Sequence, residues 1–505
     1  MVTILTDSQH PVLRVQVPAT ICVAAHSETG HALQTMAKQR VRDPLHDLIA
    51  FDTDQQLERT LWKTICSKPF QRLRRVRQLG FSELVYPGAT HTRFAHSIGV
   101  FHTARELMEI VRQRGDGKRL EARENIALAA ALVHDVGHGP FSHAFEAIGK
   151  ELELELADHE KTSDLLIREG ELAEILKDMG SGFANDVADM VKGEEAQTVH
   201  NAVVSSQFDA DRLDYMRRDR LMAGIQHSSI DFTWLLENLE IANVPYGLDE
   251  EKVGDRPTFV IGPKAIHAAE AYVLGLFQLY PTVYFRKATR GAEKLFVELL
   301  VHLVKLIRDG SHEKVGLAAN HPLVEFAKAP EDIESALKLD DTVFWGSLSQ
   351  LREAEDPLIR TFAERLQDRK LFKCIDIRAM VHHKIDPKND GHSSLIQEVN
   401  TCCAKVLLEL KFLKEQERGK DDIPIILTDQ ENRSPYKTVS ESRGPLEQIN
   451  VRTEGGSLID LEQRSEVVAG LREFKLTRAY FDRESPEIEC KIHDIIEREV
   501  KACHK

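Results

Sequence analysis

The sequence predicts a mainly α-helical protein with small β elements, and three observations carry that class. Ile126 to Val133 reads IALAAALV, a run of strong helix formers with almost no polar face, as in a buried helix. Several longer stretches repeat apolar residues at helical spacing, among them Gln55 to Gln78 and Pro263 to Asp309. Runs that read as strands are few and short.

Taken in order, residues 1–40 hold short apolar runs broken by Pro18, enough for a strand or two and no identifiable chemistry. Gln55 to Gln78 reads as helix, with Leu57, Leu61, Ile65, Leu73 and Val76 on an apolar face. Its basic cluster Arg72, Arg74, Arg75, Arg77 reads by charge pattern as a solvated helix face. PGATHTRFAHSIGVFHTARELMEIVRQRG begins as a loop and becomes an amphipathic helix through Val100, Ala104, Leu107 and Val111. The repeat Glu151 to Leu156, ELELEL, fits strand alternation and a helix equally.

Gln197 to Arg220 reads as one helix, and TFVIG as a strand. Pro263 to Asp309 is one long or one broken helical stretch. Beyond Asp309, ESALKLDDTVFWGSLSQL, IRTFAERLQDRKLF and Asn400 to Gln416 read as helices, and KDDIPIILTD as a strand. TVSESRGPLEQINVRTEGG reads as a loop and the best candidate for disorder. The expected organisation is an N-terminal extension (1–40), a catalytic domain (41–310) and a helical, then mixed α+β, C-terminal region (311–505).

Composition narrows the function. With 505 residues and 42% hydrophobic content, a sizeable core is available. No apolar run approaches a membrane span and the N-terminus lacks a signal-peptide pattern, so a cytoplasmic protein is expected. The seven cysteines are scattered with no C-x-x-C pair, which reads as free thiols. A net charge of −15 argues against broad coating of nucleic acid.

The chemistry concentrates in Leu132 to His143, LVHDVGHGPFSH. His134 and Asp135 end the buried helix, and an imidazole beside a carboxylate is costly there unless something binds them. A divalent cation is the simplest compensation. Gly137, Gly139 and Pro140 turn the chain so that His138 and His143 can approach the same cavity. A lone His-Asp pair is usually structural, but His96 lies before it, and Asp209, Asp211 and Asp214 lie after it. Two imidazoles and two carboxylates suit Mg, Mn, Fe, Ni or Zn.

His96, His134-Asp135 and Asp211 match the H…HD…D signature of the HD-domain phosphohydrolases. FQRLRRVRQLGFSELVYPGATHTRFAHSIGV, LVHDVGHGPFSHAFE and FDADRLDYMRRD resemble the branch of dGTPases and SAM-and-HD-domain dNTP triphosphohydrolases. The resemblance runs from about Val41 to about Lys294 and returns weakly at Arg369 to Lys373. It implies an HD-type helical bundle opened by a short hairpin at VRDPLHDLIAF. It also implies one divalent ion on His96, His134, Asp135 and Asp211, and hydrolysis of nucleoside triphosphates to nucleoside and triphosphate.

By the same resemblance His138 or His159 assists the attacking water, His143 is the general acid, and Glu146 orients a catalytic histidine. Gln78 and Leu79 touch sugar and base, Tyr215 stacks, and Asp219 accepts a sugar hydroxyl. Arg93, Arg212 and Lys287 neutralise phosphates. Asp209 and Asp214 are expected to pair with arginines, and His91 and His102 to be surface or packing residues. The implied partners are a nucleotide substrate and further copies of the chain, with no membrane; single-stranded nucleic acid is a less favoured substrate.

Three positions depart from the family: Cys66 replaces an activator-reading aspartate, Leu276 a phosphate-binding arginine, and Arg286 a histidine. Either Arg286 or Lys287 then supplies the missing charge, or the substrate is not a standard dNTP. An HD-type phosphodiesterase or nuclease is therefore the alternative reading, and a non-catalytic scaffold the third.

Overall fold

A computed structural model describes residues 38–503 except 116–119, 194–197, 249–250, 386–391 and 438–447. The expected strands before residue 38 lie outside the described residues. The class is mainly α: the described residues form 22 α-helices and nine short strands. Residues Lys38–Lys505 group as one compact unit. None of the described helices is long and apolar enough to cross a membrane. Six cysteines are free thiols, and Cys22 lies outside the described residues.

The chain enters through the antiparallel hairpin Gln39–Asp43 and Asp47–Phe51. Helices Arg93–Arg114, Glu121–Val133 and Ala210–Ala223 then form the bundle that carries the motif. Leu128 to Val133 are almost wholly buried, as the IALAAALV run requires. The helix Lys287–Arg308 packs against helix His143–Leu152 and the later helix Pro357–Gln367, so residues from Phe81 to Tyr480 share one apolar cluster. A four-stranded sheet joins Leu239–Leu248 and Glu251–Ile261 to Asn450–Arg452 and Leu458–Asp460. In a three-stranded sheet, Phe474–Phe481 lies between Lys373–Asp376 and Ile426–Arg433.

Four expected elements differ. Gln55 to Gln78 breaks into Gln56–Cys66, Lys68–Arg72 and a 3-10 turn Leu73–Arg75. In a continuous helix the Pro69 ring would strike the Ile65 carbonyl; that carbonyl instead accepts from Gln71 Nε2 at 2.7 Å. Gln197 to Arg220 is two helices, Val199–Val204 and Ala210–Ala223. Between them Asp209 caps the second, accepting the amides of Arg212 (2.8 Å) and Ser206 (3.0 Å), a competition with helix that Ser and Asp offer.

The ELELEL repeat is neither one strand nor one helix: a helix ends at Leu152, Glu153 is left-handed, and Glu155–Ala157 is a 3-10 turn. Within the stretch read as disordered loop, Asn450–Arg452 is a strand paired with Leu458–Asp460; residues 438–447 lie outside the described residues.

The arginine cluster is only in part a solvated face, with Arg74 and Arg75 exposed. Arg72 is buried and donates to the carbonyls of His138 (2.6 Å), Val136 (3.2 Å) and Leu339 (3.0 Å), where it clamps the motif's turn. Arg75 pairs with Asp340 (2.6 Å), and Arg74 lies 3.5 Å above the Phe94 ring.

Candidate active site

His134 follows the last turn of Glu121–Val133, which delivers it and Asp135 at the end of a buried helix. His96 sits one turn inside Arg93–Arg114, and Asp211 in the first turn of Ala210–Ala223, where a helix N-terminus favours a carboxylate. The fold brings these four side chains to one point. His96 Nε2 lies 3.0 Å from Asp211 Oδ1 and 3.6 Å from Asp135 Oδ2; His134 Nε2 lies 3.4 Å from Asp135 Oδ1 and 3.7 Å from Asp211 Oδ1.

The donor set fits a cation. Both Nε2 atoms are buried and lack a hydrogen-bond partner, an arrangement that costs stability unless something satisfies them. The other ring nitrogens are committed: His96 Nδ1 to Asp214 Oδ2 (2.8 Å), His134 Nδ1 to the Ala131 carbonyl (3.0 Å). In the neutral ring those partners keep the proton on Nδ1 and leave each Nε2 with a lone pair, as in metal-binding histidines. Burial opposes charge on His96, yet the carboxylates of Asp211 and Asp214 outweigh it and hold the imidazole up at about 10. A field strong enough to retain that proton also attracts a metal ion.

Asp214 was expected to pair with arginines. It does bind Arg218 (2.7 Å), but it also holds His96 and, through Oδ1, His46 (2.7 Å). Its fully buried oxygens face helix Arg93–Arg114 so closely that a Cβ on Gly99 would sit 2.1 Å from Asp214 Oδ1. Gly137 has a similar cause, since a Cβ there would lie 2.3 Å from the Ser163 amide nitrogen. His46 and Asp214 were missed as supports of His96 because nothing local in either segment marks that contact.

The catalytic candidates gather on the other side of Asp135. His138 Nε2 lies 3.3 Å from Asp135 Oδ1, and its ring stacks on His159 at 3.9 Å. Burial and the nearby Arg93 guanidinium hold the His138 imidazole well below its ordinary value, so it is neutral. Glu146, one turn into helix His143–Leu152, accepts from His159 Nδ1 (2.6 Å) and His143 Nδ1 (3.1 Å). Asp158 caps the helix that starts at His159 and thereby places that ring. Asp135, His138 and His159 form a second group whose ligand atoms lie within 4.8 Å of one another.

A cleft of about 580 Å³ opens beside these groups, lined by Gln78, Leu79, Arg93, His143, Tyr215 and Asp219 among others. Gln78 Oε1 is buried without a partner, and His143 is 70% exposed. Arg93 spans Asp135 and Ser142 Oγ (2.7 Å). His91, expected at the surface or in packing, is buried and binds Asp219 Oδ1 (2.8 Å), while Tyr284 donates to Asp219 Oδ2 (2.8 Å).

Two expected phosphate contacts are not among the residues lining the cleft. Arg212 stays beside Asp209 (3.7 Å), and the Lys287 charge falls near Cys374. Arg286 is drawn to Tyr86 Oη (2.8 Å), and Leu276 is core. The cations that line the cleft are Arg93, Lys150, Arg290, Lys294 and Arg433. Lys150 shares a helix face with His143, seven residues on, a spacing that sequence reading could have noticed.

Comparison with known proteins agrees with this geometry. The HD domain family model matches residues 93–216. The uncharacterized protein YwfO of Bacillus subtilis is 28% identical over 476 residues, covering 90% of this chain and 96% of that one. Deoxynucleoside triphosphate triphosphohydrolase SAMHD1 of Mus musculus is 26% identical over 408 residues, 73% of this chain and 59% of that one. The crystal structure of a phosphohydrolase from Bacteroides thetaiotaomicron has a TM-score of 0.66 and 23% identity, covering 88% of this chain and all of that one, which shows a shared fold. His96, His134, Asp135 and Asp211 converge inside residues 93–216, the segment that matches the HD domain family model.

Proposed function

We propose that this protein is a metal-dependent phosphohydrolase that splits deoxynucleoside triphosphates, or nucleoside triphosphates more generally, into nucleoside and triphosphate. The observation that carries the reading is the pair of buried, unpartnered Nε2 atoms of His96 and His134 facing the carboxylates of Asp135 and Asp211 beside an open cleft. The activity in the name of the mouse relative supports the substrate class.

In this reading His96, His134, Asp135 and Asp211 hold one divalent ion, Mg, Mn, Fe, Ni or Zn. When bound, such an ion supplies Lewis-acid polarisation of a phosphoryl oxygen and acidifies water. The chain's own groups do the rest. Arg93 and Lys150 offset the phosphate charge. His143, anchored through Nδ1 on Glu146, has Nε2 left to protonate the leaving 5′-oxygen. His138 and His159 orient the attacking water, with His159 steered by Glu146. The Tyr215 ring, Asp219, Gln78 and Leu79 contact sugar and base.

The test is metal analysis of the purified protein, then incubation with Mg or Mn and dNTPs, rNTPs, single-stranded DNA or cyclic nucleotides. Inorganic triphosphate is the expected product. Mononucleotides released from DNA would favour the phosphodiesterase or nuclease reading, which the leucine at 276 in place of the family's arginine keeps open. Asp135→Ala should lose both metal and turnover, whereas His143→Ala should keep the metal and lose turnover. An active Asp135→Ala protein would overturn the mechanism.

A further inference from the structure

The cleft has a wall that no motif residue supplies. Strand Ile426–Arg433 lies far beyond the HD match, yet its residues Glu431 and Arg433 line the cleft. Alternation along the strand puts Asp429, Glu431 and Arg433 on one face, turned toward helix Lys287–Arg308. Asp429 is fully buried and anchors two lining cations, Arg290 (Nε to Oδ2, 2.9 Å) and Lys294 (3.2 Å). Arg290 also binds Glu293 (2.9 Å) and Glu431 (3.0 Å), and Arg433 lies 3.4 Å from Glu431. On the neighbouring strand Phe474, paired with Arg433, stacks flat on the cleft residue Phe285 at 5.4 Å.

The charges on this wall are matched in pairs, and three carboxylates stand among its cations. Such a surface offers hydrogen bonds without a net positive field, so it suits the uncharged end of a nucleotide and not its polyphosphate. Glu431 is a quarter exposed and Arg433 about half exposed, which leaves an acceptor and a donor side by side on the cleft wall. A nucleobase edge presents the same two functions in complementary order, over a face that stacks.

We propose that Glu431 and Arg433 are specificity-determining residues that read the nucleobase, with Asp429 and Arg290 positioning Glu431. The inference rests on the nucleotide reading above. It is tested by measuring kcat/KM for each of the four dNTPs with the wild type, Glu431→Gln and Arg433→Ala. Glu431→Gln turns one acceptor into a donor at constant size, so the ratio between the best and worst base should change by about tenfold or more. Arg433→Ala, at a half-exposed rim position where folding is not at stake, should change it by about threefold or more.

Metal content and the triphosphate product should stay as in the wild type. If both variants keep every ratio within about twofold of the wild type, the wall does not read the base and the proposal fails alone. If the wild type hydrolyses no nucleoside triphosphate, the substrate reading fails and this assignment falls with it.

Discussion

Asp214→Asn tests how the metal-facing geometry is held. The Asp214 carboxylate accepts four hydrogen bonds: His46 Nε2 (2.7 Å) and an Arg218 amino group (3.0 Å) on Oδ1, His96 Nδ1 (2.8 Å) and Arg218 Nε (2.7 Å) on Oδ2. Asparagine keeps the volume and one acceptor but turns an NH₂ toward two donors. Two bonds to a buried charge are lost, at about 1.5–3 kcal/mol each, which matches the roughly 3–5 kcal/mol of a broken buried pair. Arg218 retains Asp43 at 2.7 Å, so the lower half of that range is expected.

The metal effect is separate. His96 loses the carboxylate that fixes its tautomer, and losing such a support weakens metal binding about 10- to 100-fold. Mn²⁺ titration calorimetry and urea unfolding read the two effects independently. Asp43→Asn is the contrast, because it also weakens the hold on Arg218 but receives no bond from His96; it should lose stability and keep metal affinity. An Asp214→Asn protein that binds Mn²⁺ within about twofold of the wild type would refute the claim that this carboxylate orients His96.

Two further outcomes follow from the packing. Gly99→Ala should cost about 1–3 kcal/mol or more and reduce metal content, because its methyl would sit within 2.2 Å of Asp214 and Arg218 atoms; a melting temperature equal to the wild type would contradict this. Asp341 accepts the amides of Phe141 (2.7 Å) and Arg77 (2.9 Å), and burial outweighs those bonds, pushing its carboxyl from 3.8 up to about 7. Between those values the folded chain keeps a proton that the unfolded chain has lost, so stability falls as pH rises through the window, by about 1.4 kcal/mol per pH unit from this group. Urea unfolding from pH 4.5 to 7.5 should show Asp341→Asn lacking that slope; parallel curves for the two proteins would remove the assignment.

The helical class was legible in local pattern, since IALAAALV cannot be solvated and His134-Asp135 at its end demands compensation, whereas the small hairpin was expected from the family resemblance alone. Helix breaks at Ser67 and Ser205 were harder, since Pro69 and Asp209 act on backbone bonds that periodicity does not register.

Long-range partnerships were invisible. Arg72 reads as a surface charge until the turn at His138 folds over it, and His91 reads as packing until Asp219 arrives from another helix. The cleft cations show the same division: Lys287 has the expected position in the chain, yet Lys150, Arg290 and Lys294 are the ones brought to the opening. The order of residues settled which side chains with cation-binding chemistry are present, because that depends on donor type alone. Folding decided which nitrogen of His96 keeps its lone pair and which strand closes the cleft, because both depend on contacts between segments more than a hundred residues apart.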